Sequence, residues 1–214
     1  MITMRSADLA TFIRVGLVLI IVYLVLTGFN PLVSILLFAV ALILDGVDGY
    51  LALLESSKGR ITPSKYIKAL TGNSVLMKQV KEAKLKTAKL APYGPRLDII
   101  GDRIIEYTLY ILFTFVHIIP LFVLLVIVIR NCAADGLMGL RGTSSKMKSR
   151  FARIMYASAP SRAAANILKF LTFSYLMLQY VAGYPAIIGQ ALVAILVIFS
   201  VLRGASEIYE SLQN

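Results

Sequence analysis

An apolar run from Phe12 to Thr27 is interrupted only by Arg14 and Gly16. A helix needs roughly 20 largely apolar residues to cross a bilayer, so a run of this kind constrains the fold more than any other feature. Comparable runs recur, and six membrane spans are expected at about 10–28, 32–54, 95–117, 119–138, 156–182 and 185–206. Composition agrees. Of the 214 residues 58% are hydrophobic, and the mean hydropathy is +0.81. A water-soluble domain of this size needs more polar surface than that. The expectation is an all-α, polytopic membrane protein with one membrane domain over 1–214. The first run follows Arg5 and Asp8 and has no small-residue cleavage site after it, so it reads as the first span rather than a removed signal peptide.

Charge sets the topology. Three expected turns, Gly28-Phe29-Asn30-Pro31, His117-Ile118-Ile119-Pro120 and Gly183-Tyr184-Pro185, carry no Lys or Arg. The other connections are long and basic. Residues 55–96 hold ten Lys/Arg against Glu55 and Glu82, and residues 139–155 hold Arg141, Lys146, Lys148, Arg150 and Arg153 with no acid. Excess Lys/Arg marks the cytoplasmic side, so both termini and both basic loops are expected there, in a multi-pass protein of the cytoplasmic membrane. The net charge of +11 follows from this distribution, which fits anionic lipid head groups as partners and not nucleic acid. Within the basic segment, Leu76, Val80, Ala83, Thr87 and Leu90 recur at helical spacing among Lys78, Lys81, Lys84, Lys86 and Lys89. That pattern suits either a short amphipathic helix on the membrane surface or a solvated basic linker.

Charged groups inside spans are expensive and tend to mark function. Asp45 and Asp48 fall near the cytoplasmic end of the second expected span, and Asp98 and Asp102 at the cytoplasmic start of the third. Spacings of three and four place each pair on one helix face, and antiparallel spans bring the pairs to one depth. Four carboxylates converging in a poor dielectric repel one another, and divalent cations resolve that repulsion. Oxygen ligands favour Mg²⁺, Mn²⁺ or Ca²⁺ over zinc. The single histidine, His117, is expected at the opposite membrane face, and Cys132 has no thiol partner. The bland alternative pairs each aspartate with an interfacial arginine such as Arg96 or Arg103. Gly46, Gly49 and Ala52, with Gly94 and Gly101, lie on or beside the aspartate faces, where small residues let a helix or a ligand approach the backbone.

These residues carry a resemblance. Asp45-Gly46-Val47-Asp48-Gly49-Tyr50-Leu51-Ala52, followed by Gly94-Pro95-Arg96-Leu97-Asp98-Ile99-Ile100-Gly101-Asp102, resembles the CDP-alcohol phosphotransferase signature D-x2-D-G-x2-A-R … G-x3-D-x3-D. In the first span, Asp8-Leu9-Ala10-Thr11-Phe12-Ile13-Arg14 is similar to the family's N-x-[IL]-T-x-x-R opening. The chain departs from the pattern twice. Leu53 stands where the family has arginine, and the 41 residues from Leu53 to Tyr93 form a basic cytoplasmic insertion (55–93) far longer than the family's usual spacing.

The resemblance implies a membrane enzyme that moves a phosphoalcohol, here a phosphatidyl-type lipid group, from a CDP-alcohol to a second alcohol and releases CMP. It implies two Mg²⁺ or Mn²⁺ ions held by Asp45, Asp48, Asp98 and Asp102, with Asp102 also the general base. It further implies Thr11, Gly49, Ala52 and Gly94 on the nucleotide side, and a homodimer. Beside the resemblance, Arg162, Asn166 and Lys169 align on one face of the fifth expected span, and Arg130 lies in the fourth, near Asp135. A cationic face of this kind suits a phosphorylated acceptor such as glycerol phosphate or inositol phosphate. Its alternatives are snorkelling to head groups and an Arg130–Asp135 pair. Two other functions stay open. Intramembrane carboxylates also serve ion- or proton-coupled transporters, and Leu53 suits a member of the family that binds CDP-alcohols without turning them over.

Overall fold

The sequence stops its helices with a small set of local devices, and these set the element lengths. The computed structural model describes the backbone of residues 6–57, 94–141, 154–155 and 158–213, and the side chains of 9–45, 97–137, 154–155, 158 and 160–209. Six helices carry the described chain: α1 (Ser6–Leu26), α2 (Pro31–Ser57), α3 (Gly94–Phe115), α4 (Leu121–Arg141), α5 (Ala159–Ala182) and α6 (Ala186–Gln213). The all-α expectation and the six helices are what is observed. The stretch 75–90 and most of the second basic loop lie outside the described residues.

Between α1 and α2, Gly28 takes φ +66° and donates to Val25 O at 3.0 Å, while Phe29 donates to Leu24 O at 2.9 Å. This bond pair closes a helix with a left-handed residue, a conformation glycine reaches without steric cost. Asn30 then caps α2 by accepting from the Leu32 amide at 3.0 Å, with Pro31 at the first helical position, where its missing N–H is not needed. The turn after α3 has the same bond pattern, His117 to Thr114 O and Ile118 to Phe113 O, but its left-handed residue is His117 at φ +59°. Helix α5 starts three residues later than expected from hydropathy. Ser158 adopts extended backbone and its side chain accepts from Ser161 N, and Pro160 follows inside the first turn. Gly183, at φ +72°, ends it.

The chain divides into two compact units. The first comprises Met1–Tyr23 and Leu36–Thr108. Its α1 buries Ala10, Arg14, Val18 and Ile21, spaced as one helix stripe, so a charged residue occupies a core position. The second comprises Leu24–Ile35 and Leu109–Asn214. Here Phe173 of α5 stacks on Phe113 and meets Tyr110 edge-on, with centroids 6.2 and 5.1 Å apart, offset geometries that aromatic pairs prefer. Helix α6 packs against both α4 and α5. Gly189 lies against Gln179 and Leu176, and Gly204 against the stem of Arg130, so a side chain at either glycine would collide with the facing helix.

Polarity is distributed in the opposite sense to a water-soluble protein. Each helix exposes large apolar side chains, among them Leu19, Leu36, Ile111, Ile129, Leu171 and Ile198, whereas Arg14, Ser34, Glu106, Asn131, Thr172 and Glu207 are buried. Leu9–Leu26 and Ala186–Tyr209 are long and apolar enough to cross a membrane, and Pro31–Asp45 is a shorter apolar helix segment.

Candidate metal and catalytic site

The first unit gathers charge at one point. Asp45 comes from α2, Asp98 and Asp102 come from successive turns of α3, and each offers a carboxylate oxygen within 4.8 Å of the others. Arg14, from the buried stripe of α1, stands among them. Its Nη1 lies 2.8 Å from Asp45 Oδ1 and 3.7 Å from Asp98 Oδ1, and its Nη2 donates to Asp102 Oδ1 at 2.7 Å. The arginine side chain is 3% exposed, against 26% for Asp45, 54% for Asp98 and 47% for Asp102. The guanidinium is therefore on the inner side and the carboxylates keep an open one.

Magnitudes show what this arrangement does. At an effective dielectric of about 20, two carboxylates near 4.8 Å repel by roughly 3–4 kcal/mol, and there are three such pairs. Arg14 attracts all three at shorter distances, so its attraction offsets that repulsion. The repulsion is thus met in part by an arginine of the chain, in the manner of the arginine-pairing alternative but through Arg14, where that alternative named Arg96 or Arg103. Among the described residues charge is still not balanced: one guanidinium among three carboxylates leaves a formal charge of two negative. A donor set of carboxylate oxygens with that residual charge and an open face fits a hard divalent cation.

Packing brings the helices close enough for this. Gly101 is buried against Thr11, whose methyl occupies the place a Cβ would take. Thr11 is thereby placed one turn before Arg14, at the contact of α1 with α3. Arg103, one of the arginines named as a partner for the aspartates, bonds Glu106 Oε2 at 3.1 Å. Asp48, Gly49, Ala52 and Leu53 lie in α2, and Gly94 and Arg96 in α3, but all six are outside the residues whose side chains are described.

The acceptor candidates fall in the second unit. Arg162 and Asn166 are exposed on α5, and Lys169 is half-buried. Arg130 has a different setting. It donates to Asn131 Oδ1 at 2.6 Å and lies 3.9 Å from Glu207 Oε2, with its stem on the backbone of α6. The partner considered for it from sequence was Asp135; Glu207, 77 positions later, lies outside any local pattern. Arg14, read only as part of the family's opening motif, and Glu106 and Glu207, given no role, are among the charged residues that sequence reasoning did not place in a site. For Arg14 a signal existed, since it is the only charge in its apolar run and shares a helical stripe with Ala10, Val18 and Ile21.

The comparison with protein families matches residues 4–56 to the model described as CDP-alcohol phosphatidyltransferase. The match takes in α1 and α2 with Arg14, Asp45 and Asp48, and it ends where the long basic insertion begins. Neither the curated proteins nor the solved structures returned a match. The match over the first two helices supports membership of the CDP-alcohol phosphatidyltransferase family, which the aspartate motif resembles.

Proposed function

We propose that the chain transfers a phosphatidyl-type phosphoalcohol group from a CDP-alcohol to the hydroxyl of a polar, phosphorylated acceptor, releasing CMP. The observation that carries this is the convergence of Asp45, Asp98 and Asp102 in one open, negatively charged cluster, in a chain whose first two helices match the family. The test is CMP release by the purified protein given a CDP-lipid, Mg²⁺ or Mn²⁺, and glycerol phosphate, inositol phosphate, serine or inositol in turn. Turnover with a phosphorylated acceptor is expected. Nucleotide binding with no turnover on any acceptor would overturn the reading in favour of a binding-only member, which Leu53 suits.

In this reading Asp45, Asp48, Asp98 and Asp102 would hold two divalent ions, whose chemistry when bound would be to offset the charge of the diphosphate and of the departing CMP. Asp102 has a second task. Arg14 engages its Oδ1, and about half of the side chain stays exposed, so the carboxylate can take the proton of the acceptor hydroxyl. The acceptor oxygen then bonds to the phosphorus that carries the donor alcohol, the bond from that phosphorus to the CMP oxygen breaks, and CMP leaves with the electron pair. Gly49, Ala52 and Gly94, as small residues, are the proposed cytidine side together with Thr11. Arg130, Arg162, Asn166 and Lys169 are the acceptor-phosphate candidates.

The same reading places all six helices across the cytoplasmic membrane, with both termini and both basic connections on the cytoplasmic side. The apolar side chains exposed along every helix support it, because lipid is the solvent that stabilises such a surface. A homodimer is part of the proposal through the family resemblance alone.

A further inference from the structure

Arg14 is a buried cation whose ion-pair partners among the described residues include carboxylates from two other helices. Its two terminal nitrogens are divided between them: Nη1 faces Asp45 of α2, and Nη2 holds Asp102 of α3, with Asp98 also within 4 Å of Nη1. In these three contacts the carboxylate approaches through Oδ1. The three carboxylate side chains are all more exposed than the guanidinium they face. Two roles are conceivable for a cation so placed. It either occupies the position an incoming metal ion must take, or it stands behind the carboxylates and orients them. The difference in exposure decides between these. At 3% exposed, Arg14 cannot be the group on the entry side, whereas Asp98 and Asp102 are about half exposed.

We infer that Arg14 is the positioning residue of the metal site, a fixed inner counter-charge that locks the carboxylates of α2 and α3 in converging geometry before any ion arrives. The inference rests on the metal-site reading given above and deepens it. Two features fit the role. The planar fork presents two terminal nitrogens at a fixed spacing, one towards each helix, whereas a lysine ammonium would have to hold all its partners from one rotatable point. And a positive charge behind the ligands leaves the cluster with two negative charges, enough to attract a divalent ion without three carboxylates repelling one another in its absence. Partners that orient metal ligands without touching the metal behave in the same way elsewhere, and losing one weakens metal binding by about 10- to 100-fold.

The experiment is a Mn²⁺ titration of the full chain in detergent, followed by the paramagnetic resonance signal of free Mn²⁺, together with thermal unfolding with and without Mn²⁺. Arg14→Gln is expected to weaken Mn²⁺ binding at least about tenfold and to shrink the rise in melting temperature that Mn²⁺ produces. Arg14→Lys keeps the charge and loses the fork, and is expected to fall between Arg14→Gln and the unmodified chain; should Arg14→Gln not fold, it carries the test. Unchanged or tighter Mn²⁺ binding in either variant would overturn the inference, the tighter result identifying Arg14 as a competitor for the ion position. So would equal losses of melting temperature with and without Mn²⁺, the mark of a purely structural arginine. If the unmodified chain binds no Mn²⁺, the metal-site reading falls and takes this inference with it; binding that survives in Arg14→Gln removes the inference alone.

Discussion

Arg14 and Arg130 both place a guanidinium in the interior of an apolar helix assembly, yet their surroundings differ. Arg14 meets three carboxylates that remain one-quarter to one-half exposed. Arg130, itself 13% exposed, approaches one carboxylate, Glu207, which is 2% exposed, and shares a hydrogen bond with Asn131. The first group is open and carries excess negative charge. The Arg130–Glu207 pair is closed off, both side chains lying largely inside. Burying a charge is costly, so a closed pair of opposite charges holds helices together, while an open and unbalanced cluster retains a capacity to bind. Similar side chains thus do different work according to how open their surroundings are.

The sharpest way to break this contrast is at the aspartates. Asp102→Asn removes the proposed base and a metal ligand, and should lower the rate of CMP release by about a thousandfold, in the range general bases contribute. Loss of rate with the fold retained, seen in unchanged thermal unfolding of the metal-free protein, is the expected result. The closed group should respond in the opposite way. Glu207→Leu leaves the Arg130 guanidinium without its carboxylate and should destabilise the protein by about 3 kcal/mol, while Mn²⁺ affinity stays as it was. Replacing both residues, Arg130→Met with Glu207→Leu, should recover most of that loss in a thermal melt. Should Glu207→Leu instead abolish Mn²⁺ binding with the fold intact, the division between the two groups is wrong.

Smaller effects refine the comparison. Gly101→Ala drives a methyl into Thr11, whose β-branched side chain has little freedom to swing away, and should destabilise by about 1–3 kcal/mol. Adding Thr11→Ser removes the colliding methyl and should restore the melting temperature; failure to do so would mean that the α1–α3 contact is set elsewhere. The least effect belongs to the turn after α3. His117→Gly relieves a left-handed conformation at the helix end and should stabilise by no more than about 1 kcal/mol, since glycine's extra chain entropy cancels part of the gain. Activity should not change, in keeping with a histidine that ends a helix.

The helices were legible because hydropathy and punctuation are local. Gly28, Asn30 and Pro31 predict the first turn, and the described structure builds a left-handed cap and an N-cap from those residues. Helix ends were less legible where a cap overrode hydropathy, as at Ser158, or where polar residues extend a helix beyond its apolar stretch, as α6 does to Gln213. In the site, the i+4 spacing of Asp98 and Asp102 and the return of the chain from α2 to α3 were readable in one dimension. The partner of those aspartates was not. Arg14 is separated from Asp102 by 88 positions; its place in the apolar run marked it as unusual, but not which carboxylates it would meet.

By itself, then, the sequence determined a chain of apolar helices, the residue types that can hold a hard cation, and the helix faces they share, because each of these depends on composition and on a fixed period of 3.6 residues. Only the tertiary structure decided which cation stands among the aspartates, which side of the cluster is open, and that Arg130 leans on Glu207 and Gly204. Those outcomes depend on which helices touch and how closely. That is settled by small residues such as Gly101 and Gly204 at the contacts, and by the need of every buried charge to find its opposite.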